Sequence, residues 1–525
     1  MISQQRNSVH SSAPAVFAEL RSGLAKVKPG PRSTPRSRRE YRIGVARVMQ
    51  SKITSDHPRR HMNPDSNPTP ASVESVIERK PLGAFRIRIF VVCFLIVLMD
   101  GFDTQAIGFA AKAMSVSLDI PVALFGRVFS AGLFGAMVGA LLLGPLADRY
   151  GRRWMLVTSI VIFSAFSLLT PQATHLNGLL VYRFFAGLGL GGAIPNLLAL
   201  SSEYAPRRMR GVLTGVLYAA FPLGGALGAL TSAHIVPAYG WQTLFYVGGA
   251  TPLLFAALVA VALPESLPFL LRREHGLQKV QTIVRRITGD DTQNTHFVDL
   301  EERVGALPFR DLFLHGRIAP TLLLWTGFFM CFVLLIVLVL WMPALLRNEG
   351  VDEHNAALIV GLVNLGSVAG TGIGGRLVDR FGPFIALPLL FLCGALSVSP
   401  LGYVTGSMAL LAVFSTLSGF FMGAGSSGLL SVAVLTYPSG MRATGIGWAM
   451  ALGRMGQVTG PIIVGALLAG GFSVNRIFLY SAVPAVCAAA AIVALRVCRA
   501  GPASSVAPLP GQDAGSKRTV IENRL

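Results

Sequence analysis

The feature that most constrains this chain is a series of apolar runs, each about as long as a helix needs to be to cross a bilayer. Six runs precede a polar stretch, at about 87–111, 123–146, 154–171, 178–200, 211–233 and 243–263. Six more follow it, near 318–342, 355–375, 383–403, 406–431, 443–469 and 476–497. The pattern predicts an all-α polytopic membrane protein with twelve transmembrane helices in two bundles of six.

The composition excludes several other classes of protein. Hydrophobic residues make up 52% of the 525 residues and charged residues only 13%, and a water-soluble enzyme cannot hide so much apolar surface. The five cysteines cannot all pair and show no metal-ligand spacing, so neither a disulfide-stapled domain nor a metal centre is indicated. No Gly-x-x-x-x-Gly-Lys-[Ser/Thr] motif occurs, so ATP does not drive the chain directly.

Much of the positive charge lies before the first apolar run. Residues 1–61 carry 13 basic and 3 acidic side chains, which is half of the net charge of +20. This stretch has no apolar periodicity, so we expect a disordered basic cytoplasmic tail over residues 1–85, or a stretch upstream of a start at Met62. A nucleic-acid partner is disfavoured. The first run has no cleavage site and contains two aspartates, so it is a retained helix rather than a signal peptide.

The short loops predict the orientation. With the N-terminus in the cytoplasm, the inside loops hold most of the arginines and the outside loops hold few, so both termini are placed inside. We expect a bacterial inner-membrane protein with bundles at 86–263 and 318–497, a central cytoplasmic loop at 264–317 and a cytoplasmic tail at 498–525.

The two groups of six runs are related in sequence. The segment Gly144-Pro-Leu-Ala-Asp-Arg-Tyr-Gly151 reappears as Gly375-Arg-Leu-Val-Asp-Arg-Phe-Gly382, at an offset of 231 residues. A second loop gives Arg210 and Arg442 an offset of 232. Two independent loops with nearly the same period indicate a duplicated six-helix unit, the architecture of a transporter whose halves rock against each other.

These loops resemble the signature of the major facilitator superfamily. The segment from Arg183 to Gly191 resembles the superfamily's fourth-helix motif, which is associated with proton coupling. Asp100-Gly-Phe-Asp103 is similar to the paired-aspartate signature of its aromatic acid:proton symporter branch, and residues 437–448, followed by Arg454, resemble that branch's eleventh-helix region. The resemblance implies alternating access, an aromatic acid and protons as cargo, and no cofactor beyond the proton gradient; we expect a monomer.

Two departures from the family pattern bear on mechanism. The second loop copy continues with Pro383 and Phe384 where the first has Arg152 and Arg153, so the halves should differ in gating. Phe221-Pro222 only partly resembles the fifth-helix Gly-Pro motif of antiporters, which weakens an export function without excluding it.

Four charged residues are candidates for proton coupling. Asp100 and Asp103 lie three apart in an apolar helix, where two carboxylates on one face can share and release a proton, although solvation at a helix end is the alternative. Arg183 is their candidate partner, unless it extends to the membrane interface. Glu203 is predicted to pair with the arginines at 207, 208 and 210, in an inner-gate salt bridge.

The candidate substrate contacts combine a cation with aromatic rings. Arg454 is about ten residues into the eleventh helix, where a guanidinium can capture a carboxylate, either the substrate's or that of Asp100 or Asp103. Asp103 is also a candidate contact, and Trp325 and Trp448 can stack on a ring or serve only in packing.

The gating candidates belong to the duplicated loops. Their charges are predicted to hold the inside closed in one state and to separate as the halves rock, and the glycines at 144 and 151 to allow a tight turn and close helix approach. The residues are Gly144, Asp148, Arg149, Gly151, Arg152, Arg153, Gly375, Asp379, Arg380 and Arg442.

Three functions remain open on the sequence. The leading hypothesis is secondary uptake of an aromatic carboxylic acid, of the hydroxybenzoate or hydroxyphenylpropionate type, by proton symport. The second is efflux of small organic compounds in exchange for protons. The third is a transporter-like sensor that carries nothing across. An enzyme is not expected.

Overall fold

The computed structural model describes residues 71–72, 77–78, 80, 82–273, 276–288, 297–298, 309–314, 316–438 and 441–500. Of the tail predicted over residues 1–85, residues 1–70 lie outside the described residues, as do the alternative start at Met62 and the end of the chain after residue 500.

The first half consists of six long helices, followed by two short ones. The long helices are α1 (Ala84–Leu118), α2 (Phe125–Tyr150), α3 (Arg152–Leu169), α4 (Leu176–Tyr204), α5 (Arg207–Tyr239) and α6 (Trp241–Ala262). The short helices are α7 (Leu267–Leu271) and α8 (Gly276–Thr288).

The second half repeats the arrangement with one interruption. Its seventh run divides into α9 (Ile318–Ile336) and α10 (Met342–Asn348), joined by a π-helical segment at Val337–Trp341. The remaining helices are α11 (Glu353–Phe381), α12 (Pro383–Val398), α13 (Met408–Thr436), α14 (Arg442–Ala469) and α15 (Val474–Ala500). Apart from helices, the described residues form one two-residue parallel ladder between β1 (Ala71–Ser72) and β2 (Phe297–Val298), so the predicted all-α class is confirmed.

Within the part of the chain that the structure describes, ten helical spans are long and apolar enough to cross a membrane. The two expected spans outside this set are α1, which carries five charged side chains, and α12, which has only 16 residues. Helix α12 stops at Val398, five residues before the predicted end of its run, because Pro400 and Gly402 lie in the turns that follow. Large apolar side chains such as Val261 and Leu396 lie exposed on the outer surface, as lipid-facing residues do.

Glycines set the close packing in both halves. On α2, Gly135 and Gly139 lie against backbone carbonyls of α4, and on α11, Gly366 and Gly370 lie against backbone carbonyls of α13. A side chain at any of the four would collide with backbone, so the helices approach closely only because these positions are glycine. The two pairs are again 231 residues apart, so the repeat inferred from the loops extends into the packing.

A second glycine–phenylalanine contact occurs in both halves, but the glycine comes from the opposite helix of the pair. In the first half Gly101 of α1 lies against the backbone of Phe221 on α5, and in the second half Gly453 of α14 lies against the ring of Phe332 on α9. The glycine therefore belongs to the first helix of one half and to the fifth helix of the other.

The two halves meet at one end of the molecule. We call the end that carries the turns at Gly151 and Gly382 the motif end, and the other the far end. Toward the far end, the Ser130 hydroxyl donates to the carbonyl of Val458 (2.6 Å), and α2 approaches the backbone of α14. At the motif end, no heavy atom of a described residue lies within 4 Å of the place where a Cβ on Gly144 would stand. The conformation is therefore closed at the far end and open at the motif end.

Candidate functional site

A buried ion pair lies inside the first half. Asp103 of α1 is 0% exposed and Arg183 of α4 is 3% exposed. The Arg183 Nη2 atom lies 3.3 Å from Asp103 Oδ2, and the hydroxyl of Ser167 on α3 also donates to the Asp103 carboxylate. The guanidinium carbon lies 5.6 Å from the ring centroid of Phe245. Arg183 therefore does not extend to the membrane interface, and one carboxylate joins three helices of the same half.

The Arg183 guanidinium has donors that this pair does not use. Its Nε and Nη1 atoms are buried and have no hydrogen-bond partner among the described residues. The side chain borders a small cavity that Thr104 and Gly132 also line. A group entering this cavity meets a cation that can still donate hydrogen bonds.

Asp100 faces the other half of the molecule. Its carboxylate accepts a hydrogen bond from the Thr104 hydroxyl (3.3 Å) and is close enough to Arg454 of α14 for the two charges to attract each other. Tyr218 of α5 also lies near the Arg454 guanidinium. The two aspartates share a helix but have different partners: Asp103 interacts within its half, and Asp100 interacts across the interface.

The full burial of Asp103 bears on its predicted second role. A side chain that exposes no surface and already contacts Arg183 and Ser167 has no face open to a substrate. In this conformation a substrate could therefore not reach the Asp103 carboxylate, whereas Arg454, the other charged candidate, keeps partial exposure.

Trp325 and Trp448 stack on each other in the second half. Their ring centroids are 6.3 Å apart, with 28° between the planes, and Trp448 is 42% exposed. Trp448 precedes Arg454 by six residues on α14, which is about 9 Å along a helix axis. The tryptophan pair therefore lies between Arg454 and the open motif end.

Glu203 forms a salt bridge, but with a partner other than the predicted arginines. Its carboxylate pairs with Arg152 at the start of α3 and accepts hydrogen bonds from the Ser266 hydroxyl and the Leu267 backbone N–H, each at 3.0 Å. Glu203 is twenty residues along α4 from Arg183, which is about 30 Å. Glu203 therefore lies among the contacts of the loop motif rather than beside Arg183.

The first copy of the loop motif is held by a network of polar contacts. Gly151 has a φ of 103°, a conformation that favours glycine, and a side chain there would strike the Glu265 carboxylate. The same carboxylate accepts from the Arg153 backbone N–H (3.1 Å), and Arg152 lies 3.6 Å from Asp148. Arg149 is exposed and lies over the ring of Tyr150. Glu265 was not among the predicted gating residues, although a carboxylate close behind a long apolar run was a usable signal.

The second copy of the motif lacks this network. Asp379, Arg380 and Arg442 are exposed, and Asp379 has no ion pair among the described residues. Like Gly144, Gly375 has no heavy atom of a described residue within 4 Å of its Cβ position, so the close helix approach predicted at Gly144 does not occur in this conformation.

A buried amide pair, also missed from the sequence, links the halves beyond the carboxylates. Gln105 of α1 and Asn364 of α11 donate to each other's side-chain oxygens at 3.1 and 2.8 Å, and both are buried. Because both lie in apolar helices, their polarity was the available signal. The pair closes the space between the halves on the side of Asp100 that faces the far end.

Comparison with known proteins adds evidence from outside the chain. The family model described as Major Facilitator Superfamily matches residues 93–409 and 342–522. The 4-hydroxybenzoate transporter PcaK of Pseudomonas aeruginosa is 36% identical over 424 residues, covering 80% of this chain and 95% of the relative. The gallate transporter of Pseudomonas putida is 34% identical, with 81% and 95% covered, and the 3-(3-hydroxy-phenyl)propionate transporter of Escherichia coli is 36% identical, with 72% and 86% covered.

Solved structures agree on the fold. The xylose transporter XylE of E. coli, in a partially occluded inward open conformation, superposes with a TM-score of 0.62 at 20% identity, covering 78% of this chain and 97% of XylE. At that identity the likeness shows the fold alone.

Proposed function

We propose, on the premise that this chain belongs to the Major Facilitator Superfamily, that it imports an aromatic carboxylic acid together with protons by alternating access. The chain is a multi-pass membrane transporter and not an enzyme, and its energy source is the proton gradient rather than a resident cofactor. The proposal includes a monomer in the bacterial inner membrane, with the motif end and both termini in the cytoplasm.

The observation that carries the proposal is that Asp100 and Arg454 face each other from different halves. An ionised Asp100 attracts Arg454 and so competes with any other anion for the guanidinium. Once Asp100 is protonated, Arg454 is free to form a bidentate pair with a substrate carboxylate. The substrate anion and the ionised Asp100 carboxylate compete for the Arg454 guanidinium. Binding of the substrate therefore favours protonation of Asp100, and this link is what symport requires.

The remaining residues fit supporting roles around this exchange. The Trp325–Trp448 stack lies on the route between Arg454 and the motif end, where an aromatic ring would pass or stack. The Asp103–Arg183 pair is the second proton-coupling candidate, because protonating Asp103 would break the ion pair that joins α1 to α4. The substrates named for the relatives support hydroxybenzoates, gallate or hydroxyphenylpropionate as the acids to test.

The test is uptake into proteoliposomes with an imposed pH gradient. We expect labelled 4-hydroxybenzoate, gallate or 3-(3-hydroxyphenyl)propionate to accumulate when the outside is acidic, and a protonophore to abolish the accumulation. Asp100→Asn and Asp103→Asn should lose this uphill accumulation but retain exchange, because the neutral amide resembles the protonated acid. Asp119→Asn is the matched control: Asp119 is an exposed carboxylate just after the end of α1, in a left-handed conformation that asparagine tolerates.

The outcomes separate the competing functions. Accumulation that survives the protonophore contradicts proton symport, and release driven by an inward proton gradient indicates an efflux antiporter. Binding without any flux indicates a sensor. Normal accumulation by both aspartate variants contradicts the coupling role of these residues while leaving the substrate class intact.

A further inference from the structure

Two histidines from different halves meet at the far end. His234 lies near the end of α5, and His354 is the second residue of α11. Their ring centroids are 5.2 Å apart, with an angle of 80° between the planes. Both rings retain exposed surface, so this contact is accessible from the far side of the membrane.

The hydrogen bonds determine which nitrogen of each ring carries the proton. The Nδ1 of His354 lies 3.1 Å from the carbonyl oxygen of Ala233, and the Nδ1 of His234 lies 2.9 Å from that of Leu230. A carbonyl oxygen only accepts, so each Nδ1 donates and each neutral ring keeps its lone pair on Nε2. Metal-binding histidines are typically oriented in this way, by one ring nitrogen donating to a backbone carbonyl.

The spacing of the rings agrees with a shared metal ion. In a tetrahedral zinc site each Zn–N bond is about 2.0–2.1 Å, which places the centroids of two ligating imidazoles about 5 Å apart. The observed centroid separation of 5.2 Å matches this spacing.

The two acidic side chains that precede His354 in the sequence already have partners. On α11, the Asp352 carboxylate caps the helix by accepting from the Asn355 backbone N–H, and Glu353 pairs with Arg347. Among the described residues, no group of three or more histidine, cysteine or acidic side chains could hold a metal. A metal bound by the two histidines would therefore complete its coordination with water.

We propose that His234 and His354 form a binding site for a divalent transition metal of the Zn²⁺ class, which bridges the two halves at the far end. Imidazole nitrogen suits zinc, copper and nickel. Because one ligand comes from each half, the ion binds when the far end is closed and holds it closed. Metal binding therefore stabilises the conformation described here and inhibits transport, since alternating access requires this contact to separate.

The first test measures metal binding and does not depend on the transported substrate. Full-length protein, purified with a tag that contains no histidine, is heated with and without ZnCl₂. We expect Zn²⁺ to raise the Tm of the wild type, and His234→Gln and His354→Gln each to lose this shift while keeping the metal-free Tm. His175→Gln is the matched control, because His175 is exposed before α4 at the same end and should keep the full shift.

A second measurement links the site to movement of the halves. Zn²⁺ should slow substrate exchange by wild type and His175→Gln, and have no effect on His234→Gln. Equal Tm shifts in the wild type and in both pair variants would place the metal elsewhere, for instance on the cysteines that all of them share, and would overturn the proposal. Absence of any exchange, with the Tm pattern intact, would count against the proposed substrate and leave the metal site standing.

Discussion

The two halves have the same glycine framework but carry different charges. Gly135 in the first half and Gly366 in the second occupy equivalent positions and allow equivalent close contacts. The loop charges follow the repeat but the buried ones do not: Asp100 and Asp103 correspond to Cys331 and Leu334 at the offset of 231. Packing is therefore duplicated and the buried charges are not, so equivalent substitutions should act alike on folding and differently on transport.

The largest expected effect tests the shared framework. Gly135→Leu and Gly366→Leu should each prevent stable folding, because the new side chain meets backbone that cannot move aside, and overpacking costs about 1–3 kcal/mol or more. Recovery of monodisperse protein by size-exclusion chromatography is the measurement. Gly144→Leu and Gly375→Leu, at positions with open space, are the controls that should fold. Normal folding of either variant at a packed glycine would contradict the account of the framework.

The next effect tests the difference in buried charge. Arg183→Ala leaves the Asp103 carboxylate buried with Ser167 as its remaining partner, and breaking a buried ion pair costs about 3–5 kcal/mol. At the offset of 232, which Arg210 and Arg442 show, the position equivalent to Arg183 is Ser415. Ser415 is buried and has no hydrogen-bond partner for its hydroxyl among the described residues. Ser415→Ala should therefore change stability little. The Tm of each variant in detergent is the measurement. An equal decrease in Tm for the two variants would mean that the buried ion pair adds no stability of its own.

A smaller effect separates the two copies of the loop motif. Asp148→Asn removes an ion pair with Arg152, whereas Asp379→Asn removes none, since Pro383 stands where the first copy has arginine. An exposed pair contributes about 0–1 kcal/mol, so we expect uptake to slow by about two- to fivefold for Asp148→Asn and to change less for Asp379→Asn. Initial uptake rates, normalised to the amount of protein in the membrane, are the measurement. Equal rates for both variants would show that the copies gate alike.

The smallest effect concerns how equivalent helices begin. Asp352 caps α11, whereas the corresponding residue near the start of α2 is Pro121, which has no capping side chain. The Asn355 backbone N–H donates to Asp352 and lowers the pKa of that carboxyl, so its stabilisation is present above the ordinary pKa of aspartate and is lost as the pH falls. Asp352→Ala should cost about 0.5–1 kcal/mol at neutral pH.

The pH dependence provides the check on this assignment. The difference in Tm between wild type and Asp352→Ala should shrink as the pH is lowered through the range in which the carboxyl takes up its proton. A difference that stays constant down to low pH would show that the ionised carboxylate is not what caps the helix.

Periodicity and repetition predicted most of the fold. Membrane-length runs and two loops with one offset are enough to place twelve helices in two related groups, because apolar length is a local property of the sequence. The end of α12 was missed because a run of apolar residues does not show where Pro400 turns the chain. The interruption at Val337–Trp341 was also missed, since every residue there is apolar and nothing in the pattern marks a change in helical winding.

The candidate site was predictable in its members and not in its pairings. Ionisable side chains in apolar helices stand out in any sequence, which is how Asp103, Arg183 and Arg454 were found. Which carboxylate faces which arginine depends on the packing of helices far apart in the chain, and the sequence left both aspartates open as partners of Arg454. Glu203 illustrates the same limit: its neighbours in sequence suggested one set of arginines, and its neighbours in space supplied Arg152.

The division of charges between the halves bears on how such a molecule can be assembled. A pair of identical first halves would contain Asp100 twice and a proline, Pro222, at both positions corresponding to Arg454. A pair of identical second halves would contain the arginine twice and neither aspartate. Neither homodimer could bring the carboxylate of Asp100 and the guanidinium of Arg454 together across the interface. If the halves were produced as separate polypeptides, only the mixed pair would rebuild the site, so transport in such a split system would report heterodimer formation directly.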